Sequence, residues 1–218
     1  MIPLKIFGIF EDRRKFYTKS LIDTKSFQDD IIVKDGDELF RYWNPRSSKL
    51  GAYLYKGARD IFIREASKVL YLGVASGTTA SHISDIVGKN GMVFGVDPAF
   101  RPLTNFYFLS KERRNLAPIL ADASDPASYK QLVPQVDLII QDIAQRHQTL
   151  IFRRNIDMYL RKGGFAILSI KSRSIDVKQK PSIIFKRVRR ELEHDYTIVD
   201  FKSIEPYERD HAIIIIKK

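Results

Sequence analysis

The stretch Gly73-Val74-Ala75-Ser76-Gly77-Thr78-Thr79 reads as a glycine-rich turn between an apolar strand and a helix. Such a turn lets a ligand approach the backbone, while the helix N-terminus offers free amide donors. It lacks the Gly-Lys-Ser/Thr of a triphosphate-binding loop and the glycine spacing of a dinucleotide fingerprint. Three further strand ends carry acids: Gly95-Val96-Asp97 with Pro98 after it, Ala121-Asp122-Ala123, and Asp142-Ile143-Ala144-Gln145. An acid at the tip of the second strand is placed to accept hydrogen bonds from ribose hydroxyls, and Asp122 could accept one from an adenine amino group. Any one of these aspartates could equally cap the next helix or turn. One glycine-rich and three acidic ends in a row point together to a nucleoside cofactor. Their acceptor-rich lining suits a cationic one, S-adenosylmethionine, better than a pyrophosphate, which would want donors.

Lys171 leaves the apolar strand Ser169-Ile170 beside the pocket that Asp142 defines. A lysine there could act as a base or orient a hydroxyl, with Asp142 as partner; the alternative is an ordinary strand-end lysine reaching water. His211 follows Asp210 and opens the final strand. It either faces the same pocket or simply starts an edge strand.

These groups need a frame to hold them. From Lys68 onward short apolar runs alternate with helical stretches: strands at 69–72, 92–96, 116–120, 136–140 and 165–170, with helices from Thr78, from Pro102, from Gln148 and around Ser182 to Glu193. That rhythm predicts a doubly wound α/β domain with a mostly parallel sheet. Two last strands, Tyr196 to Ile204 and Ala212 to Ile216, have no helical pattern between them and predict a closing antiparallel hairpin. The first sixty or so residues read as short strands, Leu4 to Phe10, Phe16 to Ile22 and Ile31 to Val33. One or two helices across Ser48 to Ile63 then lead into the main domain. The expected division is a small β-rich N-terminal domain with its linker helix at 1–65 and the main domain at 66–218.

Length and composition bound the rest. The chain has 218 residues, 44% of them hydrophobic with fourteen Phe and ten Tyr, enough for one ordinary α/β domain of about 150 residues and a small appendage. No cysteine is present, which excludes disulfides, thiolate metal sites and a cysteine nucleophile. No metal site is expected. No apolar run approaches the ~20 residues of a bilayer span, and the N-terminus lacks a secretory pattern, so no membrane association is expected. Thirty-seven Lys and Arg against twenty-six Asp and Glu leave +11, which points to a nucleic acid first, an anionic membrane second, and solubility alone as the plain alternative. The segment from Arg146 to Arg190 holds thirteen Lys and Arg against two acids, Asp157 and Asp176. Lys186, Arg187, Arg189 and Arg190 there equally form a solvated helix face, whereas Arg146, Lys171 and Arg173 sit at strand ends, where open sheets bind ligands.

The run from Lys68 to Gly88 (KVLYLGVASGTTASHISDIVG), the DIAQ of 142–145, the LSIK of 168–171 and the EPYERDHA of 205–212 resemble fibrillarin, the 2′-O-methyltransferase of C/D box ribonucleoproteins. Trp43-Asn44-Pro45 and Ser48-Lys49-Leu50 resemble that family's linker motif, and the likeness spans roughly residues 40 to 218. The glycine- and arginine-rich arm of eukaryotic members is missing, as in the short archaeal form, for which the cytoplasm is the expected location. The resemblance implies a Rossmann-like class I methyltransferase fold with a seven-stranded sheet. It implies methyl transfer from S-adenosylmethionine to ribose 2′-hydroxyls of rRNA or tRNA, with a C/D box guide RNA choosing the target. Implied partners are a Nop-family scaffold protein, a kink-turn-binding protein of the ribosomal type, and the guide and target RNAs. Motif matching places the cofactor against Gly73, Ala75, Gly77, Thr78, Thr79, Asp97, Pro98, Asp122, Ala123, Asp142, Ile143, Ala144 and Gln145, and the catalytic set on Lys49, Asp142, Lys171 and His211. The sequence departs from the family at two places: Pro98-Ala99 replaces an aromatic and a serine, and Arg146-His147 replaces a Pro and an Asp. Arg146, His147 and Arg173 are the expected contacts to substrate RNA.

Overall fold

The computed structural model describes residues 1–218. Strands β1 (Ile2–Pro3), β2 (Phe10–Asp12), β3 (Lys15–Lys19), β4 (Ile32–Asp35) and β5 (Glu38–Tyr42) form an antiparallel sheet in the order β1-β2-β3-β5-β4. Helix α1 (Lys49–Tyr55) follows. The main sheet holds β6 (Lys68–Leu72), β7 (Met92–Asp97), β8 (Leu116–Leu120), β9 (Val136–Gln141), β10 (Leu160–Lys171), β11 (Thr197–Ser203) and β12 (His211–Lys217), in the order β11-β12-β10-β9-β6-β7-β8. Only β12 runs antiparallel to its neighbours. Helices α2 (Thr78–Val87), α3 (Phe100–Glu112), α4 (Gln148–Tyr159), α5 (Ser172–Ile175) and α6 (Pro181–Glu193) connect the strands. No helix is long and apolar enough to cross a membrane.

Period-two alternation in the strands builds two cores, because successive side chains leave opposite faces. Val69 and Tyr71, Leu138 and Ile140, Ile213 and Ile215 face α1, α2 and α3, together with Ile6, Ile9 and Trp43 from the N-terminal region. Leu70 and Leu72, Ile139, Leu168 and Ile170, Ile214 and Ile216 face Phe152 and Ile156 of α4 and Ile184, Val188 and Leu192 of α6. Strands buried on both faces are what a parallel sheet covered by helices requires. The first core is continuous across residue 65.

Several N-terminal expectations are corrected. Leu4 to Ile9 is a turn and not a strand: Leu4 N–H donates to the Ile9 carbonyl (2.9 Å), and Gly8 sits at φ +73 against Ile86. A strand would send Ile6 and Ile9 to opposite sides in poor register, whereas the turn buries both. The strand expected through Ile22 stops at Lys19, because the Leu21 amide goes to Asp85 Oδ1 (3.0 Å). The helical pattern after Ser48 ends at Tyr55; Asp60 then takes the amides of Ile61 (2.7 Å) and Phe62 (3.0 Å) and starts an extended segment. Helix α3 begins at Phe100, two residues before Pro102, which a first helical turn accommodates.

Buried polar groups fasten the N-terminal sheet to α2. His82 stacks on Trp43 (centroids 4.7 Å apart, planes within 10°), and its Nδ1 lies 2.9 Å from Thr18 Oγ1. Thr18 in turn donates to Asp85 Oδ2 at 2.8 Å, so Nδ1 carries the proton shared with Thr18. Burial, reinforced by Arg41 and Arg113, pushes the His82 imidazole well below its ordinary 6.5. It is therefore neutral in the folded chain, while the unfolded chain takes up a proton below pH 6.5. His82 thus gives stability that is full above about pH 6.5 and declines as pH falls. Thermal melts from pH 8 to pH 5 should show this decline, and a His82→Leu variant should flatten it.

Candidate active site

The carboxyl ends of β10, β9, β6 and β7 lie side by side in that order, and the turn after β6 curls among them. Gly73, Ala75 and Gly77 all have positive φ (80°, 49° and 90°), giving a sharply curled loop that ends as the N-cap of α2. At Gly73 a Cβ would lie 2.5 Å from the Asp142 carbonyl, and at Gly77 one would lie 2.4 Å from the Phe106 ring. Only glycine lets the loop approach β9 and α3 so closely. Asp97 is buried and braces this loop: Oδ2 accepts from the Ala75 amide and Oδ1 from the Ala99 amide, both at 2.9 Å. Each oxygen retains a second lone pair for a ligand hydroxyl. Asp122 is exposed, with Oδ1 on the Ser124 amide (2.8 Å), and Ala123 beside it is buried, its carbonyl held by Asn155 (2.9 Å). Pro98 and Phe100 are exposed next to Asp97.

Asp142 is the hub of the cluster. Its amide donates to the Leu72 carbonyl (2.9 Å), extending the β6–β9 ladder by one residue and placing the side chain over the loop. Lys49 Nζ lies 3.0 Å from Oδ2, and Lys171 Nζ lies 3.3 Å from Oδ1. Below them Tyr71 is buried, and burial, with the Asp142 charge adding to it, pushes its phenol above the ordinary tyrosine range. It therefore stays neutral.

Register explains why Lys171 and His211 stand together. They are directly paired residues of the antiparallel β10–β12 ladder, so their side chains leave the same face of the sheet. His211 Nδ1 lies 2.6 Å from the Arg209 carbonyl, which can only accept. In the neutral ring Nδ1 therefore carries the proton, leaving Nε2 able to accept. The backbone of Lys171 is clamped by buried Gln148, whose Oε1 accepts from the Lys171 amide (3.1 Å) and whose Nε2 donates to its carbonyl (3.3 Å). Sequence reasoning missed Gln148, Tyr71 and Ser48, which stand at the head of α4, inside β6 and at the N-cap of α1, places that carry no local signal of a site.

Of the residues expected at RNA, Arg146 and His147 are exposed at the head of α4 and line an open cleft of about 490 Å³ with Gln179 and Arg187. Arg173 is tied down, its Nε on Asp210 Oδ2 (2.9 Å) and a second donor on the Val177 carbonyl (2.8 Å). On α6, Arg187 and Arg189 face Glu191 and Glu193 one turn on, the pattern of a solvated helix face.

The fibrillarin family model matches residues 5–218. The chain belongs to the fibrillarin family. A curated relative named fibrillarin-like rRNA/tRNA 2′-O-methyltransferase, from Thermococcus onnurineus, is 47% identical over 204 residues, covering 94% of this chain and 90% of its own. Among solved structures, Aeropyrum pernix fibrillarin in complex with natively bound S-adenosyl-L-methionine superposes with TM-score 0.89 at 38% identity, covering 99% and 96% of the two chains. Fibrillarin from a fibrillarin/Nop5p complex gives TM-score 0.89 at 38% identity, covering 98% and 99%. The seven-stranded sheet and the N-terminal antiparallel sheet of this chain thus match these fibrillarin structures over nearly their full length.

Proposed function

We propose that this fibrillarin transfers a methyl group from S-adenosylmethionine to a ribose 2′-hydroxyl of rRNA or tRNA. The observation that carries the reading is the Lys49–Asp142–Lys171 cluster, with His211 beside it, at the mouth of the glycine loop. The residues fit the cofactor. The loop 73–79 has no lysine or arginine to hold a pyrophosphate, and the strand ends offer Asp97, Asp122 and Asp142 as acceptors. Gly73, Ala75, Gly77, Thr78 and Thr79 would line one side, Asp97 and Pro98 the ribose and adenine, Asp122 and Ala123 the adenine edge, and Asp142 to Gln145 the methionine end. When bound, S-adenosylmethionine supplies a methyl group on a positively charged sulfur that leaves as a neutral thioether.

A ribose hydroxyl is a poor nucleophile, so most of the acceleration must come from placing it in line with the methyl group. Lys49 and Lys171, both held by Asp142, present donors that orient the hydroxyl oxygen. His211 Nε2, on the same face, accepts the proton the oxygen gives up as the new O–C bond forms. In this reading residues 66–218 form the methyl-transfer domain, and residues 1–65 form a brace and the linker helix that delivers Lys49.

Arg146 and His147, exposed at the head of α4, would hold RNA phosphates without reading bases, which suits targeting by a guide RNA. The Nop5p complex of a relative supports a Nop-family scaffold as partner; a kink-turn-binding protein and C/D box guide RNA complete the particle, acting in the cytoplasm. Calorimetry with S-adenosylmethionine, followed by tritiated methyl transfer to guide-matched RNA with and without the partner proteins, tests the reading. Cofactor binding with guide-dependent label supports it, and no binding even in the assembled particle overturns it. Replacing Arg146 and His147 by Pro and Asp should weaken RNA binding about tenfold and lower its salt dependence by roughly one to two counterions, with cofactor affinity unchanged. Equal RNA affinity in a filter-binding titration would exclude this loop as a contact.

A further inference from the structure

Lys49 is the first residue of α1, and the first turn of a helix is the part that frays. The rest of α1 is anchored independently. Gly51 lies against Trp43, where a Cβ would come within 2.9 Å of the indole. Tyr53 donates to Asp200 Oδ2 at 2.5 Å, and the Tyr55 hydroxyl oxygen accepts from the Phe16 amide at 3.0 Å. Ahead of Gly51 the backbone is held by Ser48 as N-cap, its Oγ accepting from the Gly51 amide at 3.1 Å. The same buried oxygen accepts a second hydrogen bond, from Thr79 Oγ1 at 2.9 Å. Thr79 belongs to the first turn of α2, at the end of the glycine loop. One hydroxyl therefore joins the turn that carries Lys49 to the loop assigned to the cofactor.

We propose that Ser48 is a positioning residue of the methyl-transfer site: its hydroxyl ties the first turn of α1 to the α2 side of the glycine loop, and so holds Lys49 Nζ against Asp142. The inference rests on the reading of Lys49, Asp142 and Lys171 as the methyl-transfer centre. A displaced loop would displace Lys49 with it, which makes the pairing of Lys49 with Asp142 depend on the loop that receives the cofactor.

The test uses the full chain assembled with scaffold, kink-turn protein and guide RNA, carrying Ser48→Ala, Ser48→Gly or Ser48→Thr. Glycine is nearly as good an N-cap as serine for helix stability yet lacks the hydroxyl, so it separates capping from the bond to Thr79. Ala and Gly should both lower single-turnover methyl transfer about 10- to 100-fold, the scale of a small misplacement of a reacting group. Cofactor Kd by calorimetry should stay within about threefold in both, and the melting temperature should change little in Gly but fall in Ala, which also loses the cap, whereas Thr should restore the rate. In the free chain, the side-chain 15Nζ signal of Lys49 should move in the Ala and Gly variants and return in Thr. An unchanged rate and Lys49 signal in Ser48→Ala, a loss of cofactor affinity as large as the loss of rate, or no rescue by Thr would each overturn the proposal. If the wild-type particle transfers no methyl, the functional reading fails instead, and the Lys49 signal still decides the positioning role.

Discussion

Lys171→Ala will bind S-adenosylmethionine within about threefold of wild type and lose roughly 10²- to 10⁴-fold in single-turnover methyl transfer, the range of a missing orienting or proton-handling group. The geometry separates the two effects. Truncation leaves the backbone of residue 171 clamped by Gln148 on both its amide and its carbonyl, so the end of β10 stays in place. Asp142 keeps Lys49 at 3.0 Å and is not left as an unpaired charge. The residues assigned to ribose and adenine lie at or just past the carboxyl ends of β7 and β8, beyond β9 and β6 in the sheet order. What disappears is the ammonium 3.3 Å from Asp142 Oδ1, next to His211. Lys171→Arg should recover little, because a planar guanidinium cannot occupy the position of a compact ammonium. Near wild-type turnover in Lys171→Ala would remove Lys171 from the chemistry.

The largest loss of stability should come from Asp85→Ala, far from the site. The Asp85 side chain is fully buried and holds four donors: Arg113 (2.6 Å) and the Leu21 amide (3.0 Å) on Oδ1, Arg41 (2.8 Å) and Thr18 (2.8 Å) on Oδ2. Both guanidiniums are buried as well, and Asp30 serves Arg41 from the other side at 3.1 Å. Burial pulls Arg113 below the ordinary arginine value, Asp85 opposes this, and Arg41 adds to it. Removing Asp85 leaves two buried cations sharing one carboxylate. Stripping one partner from a buried pair costs about 3–5 kcal/mol, which for a chain of this length is a fall in melting temperature of roughly 6–20 °C. Asp85→Asn should fall between wild type and alanine, since it keeps the shape and part of the hydrogen bonding but not the charge. A loss under about 1 kcal/mol by denaturant titration would mean that the arginines find other partners. The network spans β3, β5, α2 and the residue after α3, so its failure should release the N-terminal sheet first, which hydrogen exchange of β3 and β5 amides would reveal.

Sequence by itself determined the main sheet and which residue types gather at its carboxyl ends. Apolar runs of four to seven residues between amphipathic helices leave a strand buried on both faces as the economical reading. Glycines and acids at the strand ends mark a ligand rim because a parallel sheet collects all its carboxyl ends on one side. What sequence could not decide is what depends on pairing across distance. Lys49 and Asp142 lie 93 positions apart and meet only because Ser48, Tyr53 and Trp43 seat α1 beside the glycine loop. Lys171 and His211 share a face because β12 enters the sheet antiparallel between β10 and β11, which fixes their register. The same limit explains the errors near the N-terminus. Ile6 and Ile9 read locally as a strand, yet a turn is what carries both into a core completed by β6 and α2. Nothing local in the sequence marks Asp30, Arg41, Asp85 and Arg113 as partners, because the desolvation that makes them a buried network exists only once the N-terminal sheet has closed over α2.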